Sequence, residues 1–412
     1  ARVVLVGVDG GADYLLDEFL AEGKLAADGG FATLARAGVR AETSTPINIS
    51  VTSPSFASLF TGAYPERHGL MGNFYYRVTD PIGQTSSGFT APLQAESLWA
   101  TACQAGKSVV LVGMEIALPE PPKCVRIFGQ GKSAGPSGLV ELARADFVRA
   151  EEWKFGRRQF EQAFAARIVF PTRKQGEQWA YLLVVDGIAD GKTVFEQVIL
   201  DFDRDLSNGT AAELRAGEWG AVRLPVASEL GSAIGAWVKL LELAPDLTRL
   251  RLYRGGAHYN VGQPRKFVLS VERALAQEPG LGSFWPGEPD SRALALGWLD
   301  EEMWLEQMAR HGRYLRAATV YVLRRERFDL LAAYQLQCDD AGHQFLLRHP
   351  RQEGYADESL RGRWAEHVLH AWREVDANLK AIIEAAGKKT DVLVVADHGM
   401  SPEHTRVYPN RL

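Results

Sequence analysis

Three apolar runs in this chain each lead into a carboxylate. Val3-Val4-Leu5-Val6-Gly7-Val8 runs into Asp9, Leu330-Leu331-Ala332-Ala333-Tyr334 leads towards Asp339, and Val392-Leu393-Val394-Val395-Ala396 runs into Asp397-His398. In an open parallel sheet the carboxyl ends of the strands line one crevice, so residues hundreds of positions apart can meet there. Two of the carboxylates bring a histidine with them, His398 directly after Asp397 and His343 four residues after Asp339. Acidic and imidazole groups crowded at one sheet edge are costly unless a cation neutralises them, so the pattern points to a metal site.

The rest of the chain alternates in a way that fits such a sheet. Helical patterns around Tyr14 to Leu20 and Phe31 to Ala37 follow the first strand, then a short helix from about Pro54, then Leu98 to Ala105 leading into a strand at Ser108 to Val112. This βαβ rhythm implies parallel pairing with right-handed crossovers. It breaks near Pro119-Glu120-Pro121-Pro122 and gives way to alternating runs such as Trp179 to Val185 and Thr193 to Asp201, with turn signals at Asp190-Gly191 and Asn208-Gly209. The α/β rhythm then returns, with helices near Leu299 to Val322 and Gly362 to Ala386 and strands at 328–337 and 391–396. The simplest organisation is a catalytic α/β core, residues 1–118 and 296–412, interrupted by an inserted β-rich cap at 119–295. A chain of 412 residues is long enough for about two or three domains.

A net charge of -5 gives no basic field, which argues against a nucleic-acid-binding module. No apolar stretch approaches the roughly 20 residues needed to cross a bilayer. Cys103, Cys124 and Cys338 are scattered and odd in number, suggesting neither a disulfide framework nor a CxxC metal knuckle. The first strand starts almost at Ala1, so a leader removed from the chain would leave this beginning.

The chemistry centres on Thr52-Ser53-Pro54-Ser55-Phe56-Ala57-Ser58-Leu59-Phe60-Thr61-Gly62, followed by Tyr64-Pro65-Glu66-Arg67-His68-Gly69. Pro54 suits the first turn of a helix, which puts Thr52 or Ser53 at its amino end, among free backbone N–H groups suited to an anion such as phosphate. A hydroxyl pressed there against a metal becomes a nucleophile. Thr and Ser are also favoured N-caps whatever the function, so capping is the competing reading.

Taken together, Val8-Asp9-Gly10, the Thr52 to Gly62 helix with Tyr64-Pro65-Glu66-Arg67-His68-Gly69, Asp339-Asp340-Ala341-Gly342-His343 and Asp397-His398-Gly399-Met400 resemble the alkaline phosphatase superfamily, and within it the type I phosphodiesterase/nucleotide pyrophosphatase group. The resemblance implies an alkaline-phosphatase-like, mostly parallel sheet with helices on both faces. It also implies hydrolysis of phosphodiester or pyrophosphate bonds in small-molecule phosphate esters. Asp9, Asp397 and His398 match the ligands of one metal, with Thr52 as the nucleophile bound to it, and Asp339 and His343 match two ligands of a second. The implied cofactors are two divalent ions, zinc with manganese as the alternative, and the implied intermediate is a phospho-threonine cleaved by a metal-activated water. Ser55 and Asn73 are the candidate substrate-binding residues. The same resemblance favours an extracytoplasmic, periplasmic or secreted, location.

Ser55 stands where the nucleotide pyrophosphatases carry an Asn three positions after the nucleophile, and offers a hydroxyl of shorter reach. The alternatives are a sulfatase or phosphonate hydrolase of the same superfamily, or a silent binding protein on the same fold. Against a sulfatase, Thr52 cannot yield formylglycine, and Phe56 stands where the signature arginine belongs. A third ligand for the second metal is expected from a histidine downstream of the Asp-His-Gly motif. His404 lies close to the first site, so the natural chain is expected to continue past Leu412 and supply that histidine. Elsewhere, Asp186-Gly187 mimics the Asp9 motif but reads as a hairpin turn, and His258 in its glycine-rich loop reads as exposed. His68 reads as a brace for the turn after the nucleophile helix, Asp340 as either a neighbour of the metal ligands or a solvated carboxylate, and Trp219 and Tyr253 as packing.

Overall fold

The computed structural model describes residues 2–76, 79, 81, 83–114, 122–129, 131–187 and 193–405. Pro119 to Pro121 and the Asp190-Gly191 turn signal lie outside them. The chain forms two compact units: Ala1–Gln130 with Gly262–Phe267 and His311–Leu412, and Gly131–Val261 with Val268–Arg310.

The first unit is built on a six-stranded sheet in the order Gly262–Gln263, Val125–Phe128, Val109–Val112, Leu330–Gln335, Arg2–Val8, Thr390–Ala396. Every pairing is parallel except that of the short Gly262–Gln263 edge strand. Val109–Val112 and Leu330–Gln335 are buried at every residue, which is why they read as continuous apolar runs rather than alternating ones. The helices fall where the sequence rhythm puts them, at Asp13–Ala21, Gly30–Ala37, Thr52–Thr61, Leu98–Gln104 and Glu358–Ala386, and the Glu301–Arg325 helix belongs to this unit from His311 onward. The Glu358–Ala386 helix starts four residues before Gly362 because Asp357 caps it, its carboxylate accepting from Leu360 N at 3.0 Å. That helix buries Val368, Leu369, Trp372, Val375, Leu379 and Ile382, a stripe at helical spacing. Trp372 lies against Phe19 and Phe31, with ring centroids 6.0 and 5.7 Å away. Gly30 permits this approach, since a Cβ there would meet Leu379 Cβ at 2.4 Å.

Cys103 and Cys124 form a disulfide, Cα atoms 5.9 Å apart, which corrects the sequence reading of three unconnected cysteines. Cys103 sits in the Leu98–Gln104 helix and Cys124 just before the Val125–Phe128 strand; Cys338 is free and buried. No helix among the described residues is long and apolar enough to cross a membrane.

The second unit is β-rich, as the alternating runs require. A five-stranded antiparallel sheet runs in the order Ala212–Leu214, Gln197–Asp201, Gly176–Asp186, Gln162–Thr172, Val148–Arg149. A second antiparallel sheet orders Lys132–Gly135, Ala257–Tyr259, Ala233–Leu243, Leu250–Arg254 and Gly138–Leu142, with Trp219–Ala227 also paired to Ala233–Leu243. Phe164, Ile168, Phe170, Leu182 and Val184 of the first share one core with Ile234, Ala236, Val238, Leu240 and Leu252 of the second. Their period-2 spacing marks the inner faces of a sandwich. Ala165, Leu183 and Val185 face the other way, into a smaller cluster with Trp153 and Leu206.

Candidate active site

Strand register brings the carboxylates together. Val8 pairs with Gln335 on one side and with Ala396 on the other, so Asp9 and Asp397 leave the sheet side by side. Asp339 follows in the first turn of the Gln337–Phe345 helix. Gly10 makes the junction possible. Its φ is 63°, and a Cβ there would meet Asp339 Cα at 2.8 Å, so both conformation and space exclude a side chain. Its N–H donates to Asp397 Oδ1 at 3.4 Å.

His398 closes the cluster. Its Nδ1 lies 2.8 Å from its neighbour's carbonyl, Gly399 O, to which only an N–H can donate, so Nε2 is the nitrogen presented to the carboxylates. That atom lies 3.2 Å from Asp9 Oδ1, 3.3 Å from Asp397 Oδ2 and 3.9 Å from Asp339 Oδ1. These three oxygens are buried and meet no donor besides the His398 and His343 imidazoles. Burial, reinforced by the Asp9 charge, pushes the Asp397 carboxyl up to about 9. Burial opposes the charge on His398, but the Asp9 hydrogen bond and the charges of Asp397 and Asp9 outweigh it and raise the imidazole to about 9. Buried carboxylate oxygens whose one neighbouring donor is an imidazole nitrogen are, with that nitrogen, a donor set for a divalent cation. Ligand atoms of Asp9, Asp397 and His398 lie within 4.8 Å of one another.

Asp339 and His343 share one face of their helix, His343 Nε2 3.4 Å from Asp339 Oδ1. The imidazole is exposed, and that hydrogen bond raises its pKa. His404 is engaged elsewhere: its ring stacks on His349, centroids 4.4 Å apart, and its Nε2 lies 3.3 Å from Arg351 Nη2.

Thr52 is the first residue of its helix. The preceding residue, Val51, is extended, and no side chain caps the turn. The hydroxyl is therefore not spent on capping; Oγ1 lies 3.4 Å from His398 Nε2. The helix is anchored by Phe56, which meets Tyr334 edge-on at 5.4 Å, and by Phe60, 5.0 Å from Trp99. Gly7 of the first strand lets it come this close, since a Cβ there would lie 2.7 Å from the Phe56 ring. Asn73 reaches the same helix end, its Oδ1 accepting from Ser53 N at 2.8 Å. Ser55 is buried and its Oγ has no hydrogen-bond partner.

Tyr334 is the residue that sequence reasoning passed over. It is buried one residue before the end of its strand, and its hydroxyl donates to Asp9 Oδ2. Burial first, then the charges of Asp9, Asp397 and Asp339, hold its pKa well above the ordinary value, so it remains a donor. Its signal was present, a phenol near the end of an otherwise aliphatic strand. Its meaning depends on the register that pairs it with Gly7.

The other candidates sort by their partners. His68 is wholly buried, within 2.9 Å of Ser58 Oγ through Nε2 and accepting from Leu70 N through Nδ1 at 3.2 Å, which braces the turn. Asp186 ends its strand buried and accepts from Val194 N at 3.1 Å, tying the Gly176–Asp186 strand to the segment before its antiparallel partner. His258 corrects its reading as exposed: it is half-buried in the Ala257–Tyr259 strand.

Comparison with known proteins identifies the family. The model of the family described as type I phosphodiesterase / nucleotide pyrophosphatase matches residues 3–412. Human "Ectonucleotide pyrophosphatase/phosphodiesterase family member 7" is 43% identical over 49 residues, 12% of this chain and 11% of that protein. Two crystal structures of phosphonoacetate hydrolase from Sinorhizobium meliloti 1021, with phosphonoformate and with phosphonoacetate, are similar at a TM-score of 0.37 and 14% identity. They cover 98% of this chain and 58% of theirs, so the chain spans just over half their length.

Proposed function

The chain belongs to the type I phosphodiesterase/nucleotide pyrophosphatase family of hydrolases, and we propose accordingly that it hydrolyses small-molecule phosphodiesters or pyrophosphates through a phosphorylated Thr52. The observation that carries this reading is the position of Thr52 Oγ1, at a helix start and 3.4 Å from His398 Nε2, beside carboxylate oxygens that nothing else satisfies.

The donor set fits divalent ions, zinc with manganese second: Asp9, Asp397 and His398 would hold one beside Thr52, and Asp339 and His343 would contribute to another. Such ions, when bound, neutralise the carboxylates, acidify the Thr52 hydroxyl and spread charge away from the phosphoryl oxygens. The chain's own residues do the rest. Thr52 presents its oxygen for in-line attack, and the leaving group departs on the opposite side. The first-turn N–H groups face the anion, with the helix dipole behind them. Asn73, its Oδ1 fixed by Ser53 N, keeps its NH2 end as a donor for a phosphoryl oxygen, and the buried Ser55 hydroxyl is a second candidate donor. Tyr334 holds Asp9 in one orientation. The disulfide supports an extracytoplasmic location, since such bonds persist in oxidising compartments.

The test is Thr52→Ala against nitrophenyl phosphate monoester, diester, phosphonate and sulfate, with elemental analysis. Turnover of the diester should fall by more than about 10³-fold while bound metal stays at its wild-type level, and Thr52→Ser should keep part of it. An alanine variant as fast as wild type on every substrate would refute the nucleophile, and a metal-free, chelator-resistant enzyme would refute the cofactor.

A further inference from the structure

Behind the carboxylate cluster, within the first unit, lies a second polar group that the hydrolytic reading does not use. Gln335, Gln337 and Asn378 are each 0% exposed. They come from three elements: the end of the Leu330–Gln335 strand, the start of the Gln337–Phe345 helix and the Glu358–Ala386 helix. Their amides converge on one atom. Gln335 Oε1 accepts from Asn378 Nδ2 at 2.8 Å and from Gln337 Nε2 at 3.3 Å. A fourth element closes over them. A Cβ on Gly312, in the Glu301–Arg325 helix, would lie 1.3 Å from Gln337 Nε2 and 3.1 Å from Asn378 Nδ2, so the Gln337 amide fills the place of a side chain there.

Gln335 also holds the ligand-bearing edge of the sheet. Its carbonyl accepts from Asp9 N at 2.9 Å, and its Nε2 donates to Tyr334 O at 2.8 Å. Only Leu336 separates it from the helix that carries Asp339, and no side chain caps that turn. The bond between the Gln337 and Gln335 amides spans the turn instead. Asp9, Tyr334 and Asp339 are thus all tied to one buried glutamine, and Asn378, 43 residues further along the chain, fixes its side chain.

Stability alone does not explain this group. Gln337 Oε1 and Asn378 Oδ1 are buried and meet no donor among the described residues, and a partly satisfied buried network is worse than an apolar core of the same shape. A cation site gives it a purpose. Carboxylates gathered for an ion repel one another until it arrives, and a rigid support behind them keeps them in place. We propose that Gln335, Gln337 and Asn378 are positioning residues for metal binding: their amide junction locks the backbone between Asp9 and Asp339, so that both carboxylates stay at the site before a divalent ion enters. This inference rests on the metal reading of the site and deepens it.

The experiment uses the full chain and two near-isosteric substitutions, Asn378→Leu and Gln337→Met. Each removes one donor to Gln335 Oε1 together with one unanswered carbonyl. Zinc affinity is read by competition with a chromophoric chelator, and the urea midpoints of the chelated proteins are read beside it. Each variant should bind zinc about tenfold more weakly, the lower end of what a partner behind a metal ligand is worth, while its chelated midpoint stays at or above the wild-type value. A merely structural role gives the opposite split, a lower midpoint with unchanged affinity. If only one variant folds, that one decides. Wild-type zinc affinity in a folded variant, an affinity loss matched by a fallen midpoint, or failure of both variants to fold would each overturn the proposal. A wild-type chain that binds no zinc would instead refute the metal reading itself, and this inference with it.

Discussion

Removing one oxygen from Tyr334 tests whether the carboxylate cluster is built to hold a cation. In Tyr334→Phe the ring keeps its edge-on contact with Phe56 at 5.4 Å, so no cavity opens and core packing is unchanged. What disappears is the hydroxyl that donates to Asp9 Oδ2. A hydrogen bond to a charged acceptor is worth about 1.5–3 kcal/mol. Without metal, the Asp9 carboxylate is free to turn towards other partners and the loss is softened; with metal, it must hold its ligand orientation and the loss is felt in full. The difference therefore falls on metal affinity. At 1.4 kcal/mol per factor of ten this is roughly 10- to 100-fold, the usual cost of losing a partner that orients a metal ligand. Competition against a chromophoric zinc chelator measures it directly, without reference to any substrate. Zinc affinity equal to wild type in a folded Tyr334→Phe would refute the argument that this phenol orients a metal ligand.

The cluster also sets a pH dependence. In chelated protein the Asp397 carboxyl stands at about 9, far above the roughly 3.9 of an unfolded chain, and His398 stands at about 9 against about 6.5 unfolded. Both folded-state values are raised. Their contribution to stability is complete below the unfolded values and is lost as pH climbs through the folded ones, so the chelated protein's urea midpoint should fall steadily from pH 5 to 9. Zinc should flatten that slope; a chelated protein equally stable across the range would contradict it. Reducing the disulfide, or Cys103→Ser with Cys124→Ser, reopens a loop of 21 residues of sequence separation and should cost about 3 kcal/mol, read as a lower midpoint; an unchanged midpoint would mean the link constrains nothing.

The parts of the site that the sequence revealed are those that strand chemistry dictates. An apolar run that stops at a carboxylate is legible because a buried parallel strand tolerates charge only where it leaves the sheet, and Asp9 and Asp397 both follow that rule. Thr52 was legible because Pro54 fixes where its helix begins. Other features are set by pairing between distant segments. Tyr334 gains its partner through the register with Gly7, and Asn73 reaches Ser53 N from twenty residues away. The Cys103–Cys124 bond joins a helix to the strand region after it, an adjacency that no spacing motif encodes. His258 read as exposed because glycines surround it, yet Gly256 and Gly287 make room for its ring, a Cβ on either falling 2.8 Å from it. The strand expected from Thr193 begins at Gln197, since Val194 N is taken by Asp186 rather than by the ladder.

The same register that makes the cluster legible also makes it expensive. Parallel strands ending in step, Val8 beside Ala396, place Asp9 and Asp397 side by side, and each is only 4% exposed. A fold selected for stability alone has simple escapes: an amide at either position, or a one-residue stagger that sends one carboxylate to solvent. Instead the chain adds Asp339, holds Gly10 in a conformation that brings the carboxylates closer, and aims a phenol at Asp9. Every one of these choices makes sense if a cation is to be held and is a liability otherwise. It follows that Asp397→Asn should stabilise the chelated protein above about pH 9, where the Asp397 carboxyl otherwise ionises beside Asp9, and weaken the zinc-loaded one, because it removes a ligand. Urea titrations with and without zinc measure both halves. If the substitution moves stability in the same direction in the two states, the carboxylates are a structural network and the cation reading is wrong.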